Sequence, residues 1–149
     1  MSKFRFRLET YLRLKIAARD QCRAELAEVL RAEEQLKEHQ AGIESDIRDQ
    51  HAFIRGRTEA GALNIDLITA SQREVMFLKS LQIEKQQLML KLRPHIQQRR
   101  QALIDADHEV RTLEKLKEQK QEQHIKLEAA IEAKQMDEIA LSGFMRKGE

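Results

Sequence analysis

Five histidines (His39, His51, His95, His108 and His124) and one cysteine, Cys22, are the side chains best suited to ligate a metal or attack an electrophile. A zinc-binding helix would space two histidines around a glutamate as His-Glu-x-x-His. A di-iron bundle would set a glutamate three residues before a histidine. Neither spacing occurs. Asp105 and His108 share one face of a helix, but two ligands fall short of the usual four at a structural zinc. His124 falls on an apolar stripe as a half-exposed filler. Cys22 has no histidine near it to act as base, and its place on a stripe marks it as core. No glycine-rich phosphate loop is present. These spacings predict no catalytic residues, no metal and no cofactor.

Binding chemistry is the remaining candidate. Arg93, Arg99 and Arg100 gather around Pro94, but no aromatic residues interleave them. The whole chain carries a formal net charge of only +2. A nucleic-acid binder draws its affinity from clustered positive charge, so none is predicted. Phe4 and Phe6 alternate with Lys3, Arg5 and Arg7, a stretch too short to anchor on a membrane surface. Phe77 and Leu81 stand four apart, on one side of a helix but off the main stripe. They are either part of a wide core face or an exposed apolar pair that docks on a partner.

The elements that position these residues follow from composition and spacing. The 149 residues are 35% charged and 4% aromatic, with five glycines, one proline and no tryptophan, which reads as long helix or coiled coil. From Ile68 to Leu141 one register of alternating threes and fours collects Ile68, Val75, Leu78, Met89, Leu92, Ile96, Leu103, Ala106, Val110, Leu113, Leu127, Ile131 and Leu141. Its polar members are Ser71, Gln82, Lys85, Arg99, Lys117, Lys120, His124, Lys134 and Glu138. Such a stripe winds against a partner helix. A second stripe runs through Leu8, Leu12, Cys22, Leu26, Val29, Leu36, Ile43, Ile47 and Ile54, with Lys15, Arg19, Glu33, Gln40 and Gln50 as its polar members.

The predicted fold is all-α: two long helices in an antiparallel coiled-coil hairpin, a rod rather than a globule. One domain covers residues 1–149, with helix 1 over 3–55, a turn over 56–64, helix 2 over 65–141 and a short basic tail over 144–149. The Phe4–Phe6 lead-in is the frayed first turn of helix 1, or alternatively a short extended segment. Gly56 and Gly61 bracket the turn. Asn64 is the N-cap of helix 2, with Thr58 as a rival. Gly143 caps the far end, with Phe144 folding back. Pro94 predicts a kink, or a break that opens a new helix.

A turn centred near residue 60 pairs residues whose numbers total roughly 120, because short connections make antiparallel neighbours. That sets Glu33 near Lys85, and Leu8 and Leu12 near Ala106, Val110 and Leu113. The first helix then runs out near residue 117 of the second, leaving Leu127, Ile131 and Leu141 uncovered for a neighbour. One cysteine fits a reducing compartment. No apolar run is long enough to span a membrane, and the charged N-terminus does not read as a secretory signal.

Several segments resemble the flagellar export protein FliJ family. They are Phe4-x-Phe6-x-Leu8-Glu9-x-x-Leu12, Glu33-Glu34-Gln35-Leu36, the Gly61 turn followed by Phe77-x-x-x-Leu81, and Lys134-Gln-Met136-Asp137-Glu138-Ile-Ala140 with Met145-Arg146-Lys147. The YscO-like stalk proteins of type III secretion are close in form. The resemblance implies a non-enzymatic stalk similar to a rotary ATPase gamma subunit. Such a stalk stands at the pore of the hexameric export ATPase, FliI. It also contacts the export gate FlhA and handles export chaperones. It is cytoplasmic, reaching the membrane only through its partners. Carried over by residue, Phe77 and Leu81 are the gate contact. The segment with Leu127, Ile131, Met136 and Leu141 enters the ATPase ring. The rival expectations are a coiled-coil scaffold or export chaperone with no effect on an ATPase, and a homodimeric coiled coil.

Overall fold

The computed structural model describes residues 2–59, 61 and 64–148. Two α-helices account for nearly all of them: α1, Glu9–Glu59, and α2, Ile65–Lys147, with no strand among the described residues. They pack against each other antiparallel, as the two stripes predict. The chain divides into two compact units, one of Met1–Gln21 with Ile104–Glu149 and the other of Cys22–Leu103.

In the Cys22–Leu103 unit, α2 buries Ser71, Val75, Leu78, Met89 and Ile96, all members of its stripe. α1 turns half-buried Cys22, Leu26, Val29, Leu36, Ile43, Ile47 and Ile54 inward. Glu25 pairs with Arg99 across the helices. Glu33 does not meet Lys85. It pairs with Lys37 one turn along α1, at 3.4 Å. The cause is register. α1 runs through Gly56 to Glu59, so the connection centres nearer residue 62 than 60. Thr58 is no cap: its hydroxyl donates back to the Ile54 carbonyl at 2.8 Å. Gly61, with φ of 72°, supplies the left-handed backbone that leaves the helix, a conformation costly for any residue with a Cβ. Ala60, Ala62 and Leu63 of the expected turn lie outside the described residues. Asn64 caps α2 as predicted, its Oδ1 accepting the amides of Asp66 at 3.2 Å and Leu67 at 3.4 Å.

α2 continues through Pro94 without a break. The proline leaves the Leu90 carbonyl without its usual donor, and both residues lie on the exposed side, where water can serve instead. At its far end α2 also passes through Gly143 and stops only at Lys147. Gly143 therefore is no C-cap, Phe144 does not fold back, and the expected tail is mostly helix. One helical glycine costs about 1 kcal/mol, too little to end a helix whose neighbours all favour continuing. Met1 and Glu149 are outside the described residues.

In the other unit the core is Phe6, Leu12 and Val110, with Phe4, Ile16, Leu113 and Leu116 packed around it. The lead-in is not helical. Residues two apart lie on the same side of an extended chain but on nearly opposite sides of a helix. Only the extended form lets Phe4 and Phe6 both face α2. Leu8, expected on the stripe, precedes the helix and is exposed, and Phe6 takes the core place instead. Polar seam residues meet opposite charges: Lys15 with Glu109 at 2.7 Å, Arg19 with Asp107 at 4.0 Å, and Glu9 with Lys117 at 2.9 Å. The Glu109 carboxylate, by hydrogen bond and charge, raises the Lys15 ammonium above its ordinary pKa. Pairs this open to solvent add little stability, so their main effect is to select the register.

Candidate functional site: the uncovered end of the second helix

The lead-in carries intrachain cover further along α2 than helix pairing alone would. Ser2 donates to Glu128 Oε1 from its amide at 3.0 Å and also from its hydroxyl. His124 Nε2 lies 3.2 Å from the Ser2 carbonyl and 3.5 Å from Glu128. The Phe4 ring packs on His124 with centroids 5.6 Å apart. Cover therefore ends near Glu128, not near residue 117. His124 is half-buried under this clasp, close to the expected filler role.

The Ser2 hydroxyl, its amide and the His124 charge together hold the Glu128 carboxyl below its ordinary pKa. A depressed carboxyl pKa contributes attachment that is present at neutral pH and lost as pH falls through the folded value. The clasp is therefore expected to open in acid, at a pH below the ordinary titration range of a glutamate. The contact between the Phe4 and His124 rings, read as nuclear Overhauser effects, should be lost there while helical circular dichroism stays constant. Glu128→Gln should have lost that contact already at pH 7. A contact that survives in the variant would show that the aromatic packing alone holds the lead-in.

Leu127 lines a groove with Phe4, Phe6, Leu8, Leu116 and His124, yet remains 61% exposed. From Ala129 to Gly148 every residue is exposed. Ile131 and Leu141, at 48% and 62%, continue the stripe of Leu127 on one face. Met136 is exposed too, but its position on the helix places it on the opposite side, so the structure brings together three of the four expected tip residues. Ile125, Ile139, Phe144 and Met145 add exposed apolar surface that the stripe did not include. Ile125 and Ile139 are fourteen residues apart on a neighbouring row, a regularity present in the sequence but not on the seam.

In the Cys22–Leu103 unit, Phe77 is 57% exposed and Leu81 half-buried, so the pair stands on the flank of the seam. Met76, Ile83 and Leu90, seven apart and exposed, form an apolar row missed for the same reason as Ile125 and Ile139. Asp105 and His108 gain no third ligand. Among the described residues no group of three His, Cys, Asp or Glu side chains could hold a metal ion. Among them, too, no helix is long and apolar enough to cross a membrane.

No curated protein and no solved structure matches this chain. A family model does, described as the flagellar FliJ protein, and it matches residues 4–149, from the first lead-in phenylalanine through the uncovered end of α2. An antiparallel helix pair whose second member outruns the first, matched over nearly its whole length, belongs to the flagellar FliJ protein family.

Proposed function

We propose that this member of a flagellar export family is a non-enzymatic stalk of the type III export apparatus, working at the cytoplasmic face of the membrane. The uncovered end of α2 enters the pore of a FliI-like hexameric ATPase. Phe77 and Leu81 meet the cytoplasmic domain of a FlhA-like gate, and the chain also handles export chaperones. The observation that carries this reading is the far end of α2, which keeps Leu127, at the edge of the lead-in groove, and Ile131 and Leu141, beyond Glu128, in the open on one face. Leaving apolar side chains in water forgoes about 1.5–3 kcal/mol each, a cost that a protein recovers when a partner covers them. A lone helix in a ring has no rotational symmetry of its own. It touches each subunit differently, and can stabilise one nucleotide state over another only by binding the two unequally.

The test is ATP hydrolysis by the purified export ATPase with and without this chain. Stimulation is expected with the native chain and is expected to fall at least tenfold with Leu127→Asp and Ile131→Asp together. Both side chains are about half exposed or more, so the melting temperature should stay within a few degrees of the native value. Stimulation unaffected by the double substitution would remove the tip from the ring. No stimulation by the native chain would favour a scaffold or chaperone acting without the ATPase.

A further inference from the structure

We propose that the uncovered end of α2 pairs, antiparallel, with the same segment of a second copy of this chain. The seam from the edge of the lead-in groove onward consists of Leu127, Ile131, Lys134, Glu138, Leu141 and Met145, all exposed. In an antiparallel two-stranded coil each layer joins one seam position to the other type on the facing helix. Laid against itself about its midpoint, this seam is self-complementary. Leu127 faces Met145 of the second copy, Ile131 faces Leu141, and Lys134 faces Glu138. Two-fold symmetry repeats each layer, giving four apolar layers around two ion pairs. The parallel alternative fails on charge, because it sets Lys134 against Lys134 and Glu138 against Glu138.

The limits of the segment fit the same arrangement. Within each copy, burial along α2 gives way to exposure after Glu128, where Ser2 is bound. The helix of the second copy ends at Lys147, which in this register lies opposite residue 125. The partner helix therefore runs out beside the lead-in, and the shared seam is the stretch that lacks cover within its own chain. That seam is roughly 28 Å long, short for a coiled coil, so the association is weak and reversible. It stands whether or not the ATPase ring is the partner of this end. If the ring is the partner, pairing and ring entry compete for Leu127, Ile131 and Leu141, and unassembled chains shield one another's apolar ends.

Sedimentation equilibrium of the full chain across a wide range of concentrations tests the pairing. The native chain should move from the mass of one chain towards that of two. Lys134→Glu and Glu138→Lys each place like charges in both central layers, and each should weaken association tenfold or more while circular dichroism stays native. An equimolar mixture of the two variants restores opposite charges in both layers and should associate again. A native chain that keeps the mass of one chain at every concentration overturns the proposal. So does a mixture no more associated than either variant alone, since the native contact would then be built differently. None of these measurements involves the ATPase, so they fail or succeed independently of the stalk assay.

Discussion

Val110→Asp is expected to abolish the packing of the two helices in the Met1–Gln21 and Ile104–Glu149 unit. Val110 is 0% exposed, enclosed by Phe6, Leu12 and their neighbours. Aspartate there loses about 1.5–3 kcal/mol of apolar burial. It also brings a carboxylate into a site with no partner, at a further cost of several kcal/mol. Marginally stable folds rarely survive such a sum. Thermal melting should lose its cooperative transition or fall by well over ten degrees, with loss of amide protection around Leu12 and Ile16. Val110→Ala, which only opens a small cavity, should cost about 2 kcal/mol and keep the fold. A native melting curve for the aspartate variant would mean that this position is not core.

Phe77→Ala with Leu81→Ala should give the opposite pattern: intact stability and lost binding. Phe77 is more than half exposed and Leu81 half-buried, so truncation removes little packing within the chain. If the pair docks on the gate, each side chain is worth about 1–2 kcal/mol at the contact, and together they account for at least a tenfold loss of affinity. Calorimetric titration of the gate's cytoplasmic domain with native and variant chains reads this directly. Unchanged affinity would place the contact elsewhere. A melting temperature as depressed as that of a core variant would show that the pair serves the fold.

The seam was legible because spacing alone decides which side of a helix a residue occupies. On α1, every stripe member from Leu12 to Ile54, polar ones included, is buried or half-buried. On α2 the register holds from Ile68 to His124 with only Arg99 and Lys120 exposed, and Arg99 reaches across to Glu25. Departures arose where a local signal competed with a distant one. Phe4 and Phe6 sit before strong helix formers, but Leu113 and Leu116, more than a hundred residues later, make an extended lead-in the better arrangement. Gly56 and Gly143 carry the composition of a terminus, yet a single glycine penalty is smaller than the gain from continuing the helix. The offset in register follows from that same error at Gly56. Of the expected tip residues, Leu127, Ile131 and Leu141 were readable from the stripe, whereas Met136, opposite them, came from family likeness and not from geometry.

The cross-helix charges near the N-terminus also act as a ruler. Glu9 faces Lys117, and Lys15 faces Glu109. Slide α2 by about two turns in one direction and Glu109 arrives opposite Glu9. Slide it equally far in the other direction and Lys117 arrives opposite Lys15. An apolar stripe by itself would accept either displaced alignment, because its repeat looks much the same after seven residues. The alternation of signs makes both displacements repulsive, so the length of α2 left beyond Glu128 is metered by four charged side chains far from the tip itself.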